Sequence, residues 1–141
     1  MNEVPAPAAS LARRLGSVCY EVLLLAAIMF AAGWLFLAVA ILLPAQLART
    51  LFQVYLLAVA AAYFGYCWTH GGQTLPMKTW RIRLVKREGG PPAARQALLR
   101  YLYALAGTAI AGAGFWWALV DRDGQFLHDR LAGTRLVMSA E

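Results

Sequence analysis

Three long stretches of this chain carry no charge. None of Asp, Glu, Lys or Arg occurs between Glu21 and Arg49, between Arg49 and Lys78, or between Arg100 and Asp121. A helix needs roughly 20 apolar residues to cross the hydrocarbon core of a bilayer, and each run supplies that length. A helix on the surface of a soluble domain would show a polar face at every turn, and these do not. Composition agrees: 61% of the 141 residues are hydrophobic and 14% charged, against about 25% charged in soluble domains. A soluble chain this short would leave many of its apolar side chains facing water. The fold class expected is therefore an all-α membrane protein with about three transmembrane helices and a short basic β-like cytoplasmic segment.

The spans fall at about 20–43, 50–69 and 101–120, with a basic loop over 70–100 and a tail over 121–141. Residues 11–138 form a single transmembrane domain, and the Pro- and Ala-rich residues 1–10 read as a flexible N-terminus. Leu11 to Tyr20 are expected to be an interfacial start to the first helix. Pro44 ends that helix, because proline cannot continue it without losing a backbone bond. Tyr63, Phe64, Tyr66 and Trp68 collect near the end of the second span like an interfacial aromatic belt, and Gly71 and Gly72 then stop it. Trp80, Ile82 and Leu84 alternate with Thr79, Arg81 and Arg83, a period of two that predicts a short strand. Gly89 to Pro92 make a turn, Ala93 to Arg100 lead into the third run, and Thr134 to Met138 is again strand-like.

The third run holds Gly107, Gly112 and Gly114. Small residues let a spanning helix pack closely on a neighbour. A break near Gly112 would instead return the chain to the side it entered from, which is allowed only where protein or water satisfies the freed backbone. A simple span is the expectation.

Seven of the 13 basic residues lie between the second and third runs: Lys78, Arg81, Arg83, Lys86, Arg87, Arg95 and Arg100. Because they flank hydrophobic runs, positive-inside bias accounts for them better than nucleic-acid binding. With Arg13 and Arg14 they put the N-terminus and the basic loop in the cytoplasm and the Arg49 loop outside. A spanning third run puts the tail outside too. The location expected is a bacterial inner membrane, multi-pass. The run from Val22 to Leu43 is too long for the core of a cleaved signal peptide. Basic residues beside a membrane attract anionic lipid headgroups, which is the plain reading of the loop; docking of a cytoplasmic protein partner is the sharper one.

Arg14 and Glu21 are nearly two helical turns apart and share a face about 10 Å apart along the axis. An acid inside a span is a functional-site hypothesis by default; the plainer reading is an ion pair with Arg14 or Arg100 that fixes packing. Asp129 is read either as part of a cytoplasmic ion or ligand site with Arg14, or as a surface turn held by salt bridges. His70 and His128 are able to titrate near neutral pH, but two lone histidines do not make a metal site. Cys19 and Cys67 read as apolar space-fillers. No cofactor, activated nucleophile or paired catalytic carboxylates are evident, so an enzyme is not expected.

These motifs taken together resemble the RDD family of small integral membrane proteins. Arg14 matches the family's arginine at the start of the first span, and Glu21 stands where the family has aspartate, keeping the charge on a longer arm. Gly72, Gln73 and Thr74 match its loop motif, Arg81 to Val85 its basic strand with Arg83 at the centre, and Arg100 the arginine before the last span. His128, Asp129, Arg130, Leu131, Ala132, Gly133 and Thr134 match its ending, with Asp129 as the second named aspartate. Pro76 departs from the family's glycine. The resemblance implies a candidate ion or ligand site at Arg14, Glu21 and Asp129, and cation–proton exchange as one activity. So few spans would need a homo-oligomer to enclose a pathway, with Ala58/Ala62 and Ala104/Thr108/Gly112 as candidate contacts. A non-transport adaptor, docking a partner through the basic loop and the terminal motif, is the competing expectation.

Overall fold

The computed structural model describes residues 6–139. Two long helices dominate it, α1 (Leu11–Ala40) and α2 (Ala45–Thr69), and both are long and apolar enough to cross a membrane. Ser10 caps α1 by accepting from the Arg13 amide. At 1.5 Å per residue α1 is about 45 Å long, some 15 Å more than the hydrocarbon core. The expected interfacial start and first span are thus one continuous helix. Pro44 ends the connection and is the N-cap of α2. The two helices pack through Gly33 against Phe52 and through Phe36 against Phe52 and Tyr55. Phe30, Trp34, Leu35, Leu37, Ile41 and Leu42 remain exposed, as lipid-facing side chains do.

After α2 the backbone turns through Gly71 and Gly72, both at positive φ. A short helix α3 (Leu75–Thr79) follows, then β1 (Ile82–Lys86). The alternation beginning at Thr79 is therefore half right. Ile82 and Leu84 are buried strand residues, but Thr79 closes α3 and Arg81 sits at φ 54° in the turn between them. Pro76 falls in the first turn of α3, where a missing N–H costs nothing. That explains why proline is accepted there.

The third run departs most from expectation. It forms α4 (Ala94–Ala109) and then a short α5 (Ala113–Trp116) continued by a 3-10 turn at Trp117–Leu119, bent by 103° against α4. No straight helix covers 101–120. Ala111 and Gly112 lie in the left-handed region, at φ 50° and 74°. A Cβ on Gly107 would come within 3.2 Å of the Gly114 Cα, so the glycines that suggested helix–helix packing instead let α5 fold back on α4. The chain then passes through α6 (Leu127–Leu131) into β2 (Thr134–Met138).

β2 pairs antiparallel with β1, Ile82 opposite Met138 and Lys86 opposite Thr134. On its other edge Ala8 bridges Val137, with amide bonds from Ala9 to Leu136 and from Met138 to Pro7. Of the expected flexible N-terminus, residues 1–5 lie outside the described residues, while Pro7 to Ala9 are held as a sheet edge. The core gathers at this end of the molecule: Trp68, Met77, Ile82, Leu84, Ala97, Tyr101, Phe126 and Leu136. The belt expected at the end of α2 is divided. Tyr66 is exposed, whereas Phe64 and Trp68 stack on each other at 4.9 Å and face inward.

Candidate functional site

The sheet and the helix ends above it bring the charged residues of separate segments together. Arg14 comes from the first turn of α1, Glu21 from two turns further, Arg100 from α4, and His128 and Asp129 from α6. Arg14, Ser17, Glu21, Arg100 and His128 line one cavity of about 460 Å³, which continues between α1, α2 and α4 along Val18, Leu25, Met29, Leu57, Phe64 and Leu105.

Glu21 is half-buried and accepts two hydroxyl bonds, from Tyr63 at 2.7 Å and from Thr74 at 2.5 Å. The ion pair expected between Glu21 and Arg14 or Arg100 does not form among the described residues: no cation reaches Glu21 within pairing distance, and Arg100 acts on it only through space. Two neutral donors already occupy the carboxylate.

Arg100 makes the ion pair instead. Its Nε donates to Asp129 Oδ1 at 2.6 Å, and its guanidinium lies 4.2 Å over the Trp68 ring. Asp129 is 1% exposed, so it is not in the surface turn that was the plainer expectation. That turn lies just before it, where Arg130 pairs with Asp121 and Asp123, each at 3.2 Å. The Gln125 and Asp123 amides donate to Asp121 Oδ2. Hydrogen bonding from Gln125, with help from Arg130, holds this carboxyl below the usual carboxylate range. Asp129 is drawn inside because α6 packs on α4 and carries Phe126 into the core.

Arg14 is 2% exposed and donates from Nη1 to the Gly124 carbonyl. Its Nε has no partner, and no described carboxylate lies within ion-pairing distance. His128 is wedged between Phe126 and Phe115, with ring centroids 5.4 Å from each. Burial drives its pKa down to about 4, against the opposing field of Asp129. Its Nδ1 is also unpartnered. His70 by contrast is exposed and stacks on Tyr66 at the end of α2.

The loop motif ties the sheet to this cluster. The Gly72 carbonyl accepts from the Leu84 amide at 2.7 Å, Gln73 Nε2 donates to the Ile82 carbonyl at 2.8 Å, and Thr74 caps α3 while donating to Glu21. Gly133, at φ 70°, makes the turn into β2, and Thr134 donates to the Asp129 carbonyl at 3.3 Å. Of the basic loop, Lys78, Arg81, Arg83, Arg87 and Arg95 are exposed, while Arg100 is spent on the buried pair. Ala58 and Ala62 are exposed on α2.

Sequence reasoning missed Tyr63, Trp68, Ser17 and Gly124. Tyr63 and Trp68 were absorbed into the aromatic belt; their separation by five residues, one hydroxyl and one indole turned inward, gave no signal of which faced protein. Gly124 contributes only a carbonyl, which no side-chain pattern reveals.

The family model described as RDD family matches residues 8–133 of this chain. That range contains Arg14, Glu21, Arg100 and Asp129. No curated protein and no solved structure matches.

Proposed function

The chain belongs to the RDD family, and from that premise we propose that it is a multi-pass inner-membrane protein that exchanges a small cation for a proton, without enzymatic chemistry. The observation that carries this reading is Glu21. It is an acid in a helix long enough to cross a bilayer, on the wall of a cavity, held by two neutral hydroxyls rather than by a fixed counter-ion. Tyr and Thr hydroxyls can each donate or accept. They serve a protonated Glu21 as well as an ionised one, whereas a salt bridge would favour the ionised form alone. Ionisable groups in spans mark ion pathways and proton relays.

Two complete crossings, with α4–α5 dipping into the membrane and returning, fit this proposal. The antiparallel pairing of β1 with β2, and of β2 with Ala8, supports a common cytoplasmic side for the N-terminus, the basic loop and the tail. Anionic headgroups are the expected partners of the exposed Lys78 and Arg83. A homo-oligomer would supply the walls that so few helices lack, with the exposed Ala58 and Ala62 as a close-packing face.

The test is proton flux in proteoliposomes carrying a pH-sensitive dye and pulsed with Na⁺, K⁺ or Li⁺. Cation-dependent flux is expected for the unaltered protein and its loss in Glu21→Gln. No flux with any of these ions would overturn the reading. The adaptor alternative draws on the exposed basic face alone. It gains if crosslinking recovers a heteromeric partner that Arg83→Ala releases.

A further inference from the structure

A buried guanidinium without a counter-ion is costly, because the desolvated charge must find compensation nearby. Arg14 has one carbonyl partner, an unpartnered Nε, and a place on the cavity wall. His128 lines the same cavity, and its Nδ1 is a second unpartnered polar atom on a side chain only 4% exposed. Arg100 and Glu21, the other charged groups of that wall, already have partners. Asp129, Asp121 and Asp123 act on Arg14 only through space, so the polar end of the cavity leaves its guanidinium without an anion in contact.

The rest of the cavity is apolar and elongated. Its α1 wall runs from Arg14 to Met29, fifteen residues, or about 22 Å along the helix axis. That is more than half the hydrocarbon thickness of about 30 Å. Arg14 lies in the first turn of a helix about 15 Å longer than the core, so α1 can cross while Arg14 stays at the level of the headgroups. A mostly apolar pocket with a few polar groups at one end is the usual form of a small-molecule site.

We propose that this cavity holds one acyl chain of an anionic bilayer phospholipid, with the lipid phosphate on Arg14 and the chain running between α1, α2 and α4 toward Met29. His128 borders the phosphate, and the Glu21–Tyr63–Thr74 cluster stays closed on itself beside the upper chain. This ligand shares its cavity with Glu21, and its binding is read without any transported cation.

The probe is 1-palmitoyl lysophosphatidylglycerol, titrated into the delipidated protein in detergent and followed by native mass spectrometry. One bound molecule per chain is expected. Monopalmitoylglycerol, which has the chain without the phosphate, should bind at least about tenfold more weakly, as loss of a charge-assisted hydrogen bond implies. Inorganic phosphate should bind more weakly still. Arg14→Gln should reproduce the tenfold loss, and Ala104→Phe, which fills the chain region without touching Arg14, should also weaken binding. Equal affinity for the neutral lipid would overturn the role of Arg14, and equal affinity for inorganic phosphate would reduce the site to a small-anion pocket. Unchanged binding in Ala104→Phe would remove the chain from the cavity. If Arg14→Gln does not fold, the two lipids compared on the unaltered protein still decide the headgroup question.

Discussion

Taking the Arg100–Asp129 pair apart one partner at a time separates the energy of the pair from the energy of a stranded charge. Asp129→Leu leaves Arg100 with 8% of its side chain exposed, over the Trp68 ring and with Glu21 acting on it only through space. Removing one partner of a buried pair costs about 3–5 kcal/mol. The Trp68 face contributes about 2 kcal/mol when desolvated, but that contact is present both before and after the change, so it does not reduce the loss. Replacing both residues by apolar ones of similar volume, Arg100→Met with Asp129→Leu, is often neutral or stabilising. The single variant should therefore be less stable than the double by at least about 2 kcal/mol. Thermal unfolding in detergent, followed by tryptophan fluorescence, reads this directly. For a chain of this size about 3 °C per kcal/mol applies, which places Asp129→Leu roughly 10–15 °C below the unaltered protein. Asp129→Asn keeps one oxygen for Arg100 Nε and should lie between. If Asp129→Leu and the double variant melt together, the charge of Arg100 is not stranded in the single variant. The buried-pair reasoning would then be wrong.

Acid should destabilise the protein through His128. Its folded pKa is depressed to about 4 from 6.5, so the unfolded chain takes up the proton first, and stability present above pH 6.5 falls as pH drops toward 4. By pH 4.5 the loss is about 2–3 kcal/mol, and a His128→Phe variant should show that much less dependence between pH 7 and 4.5 in the same melting assay. Gly72→Ala should cost more than about 2 kcal/mol: φ is +71° and the new Cβ would lie 2.3 Å from the Leu84 carbonyl, whereas left-handed strain alone is about 1–2 kcal/mol. Gly71→Ala, strained but in open space, is the control, and equal melting points would discard the steric argument. Gly16→Ala would bring a Cβ within 2.5 Å of the Trp80 ring; a non-additive recovery in Gly16→Ala with Trp80→Leu is expected, and simple additivity would mean that Trp80 moves aside freely. Arg122→Cys, in a Cys19→Ser, Cys67→Ser background, should react with an impermeant thiol reagent only in inverted vesicles; labelling of intact cells would mean that the tail lies outside.

The membrane character was legible because it depends on composition over long windows; the expected spans end within a turn of α1 and α2, though α1 starts nine residues and α2 five residues earlier than expected. The strand over Thr134–Met138 was legible as a short strand-like stretch, and a period of two over 79–84 located β1 in part. What escaped was the meaning of the glycines in the third run. Gly107 and Gly114 read equally well as a packing face or as a fold-back, and only the left-handed Ala111–Gly112 backbone distinguishes them. Arg100 was counted with its exposed neighbours because spacing alone does not show that α6 returns to cover it. Arg14, Glu21 and Asp129 were singled out from motif positions, but their partners Gly124, Tyr63 and Arg100 come from pairings across the chain that local pattern does not encode.

The sheet has a consequence for biosynthesis. β1 leaves the ribosome long before β2, and until β2 arrives β1 is an unpaired edge of the kind that invites wrong partners. The same delay holds for Arg14, which precedes its Gly124 acceptor by 110 residues, whereas Arg100 precedes Asp129 by only 29. α1 therefore enters the bilayer with the Arg14 guanidinium unmet, and β2, pairing with β1 and Ala8, closes the molecule. A chain stopped before Gly124 would have its hydrophobic helices but neither acceptor, and a quality-control protease would find it open.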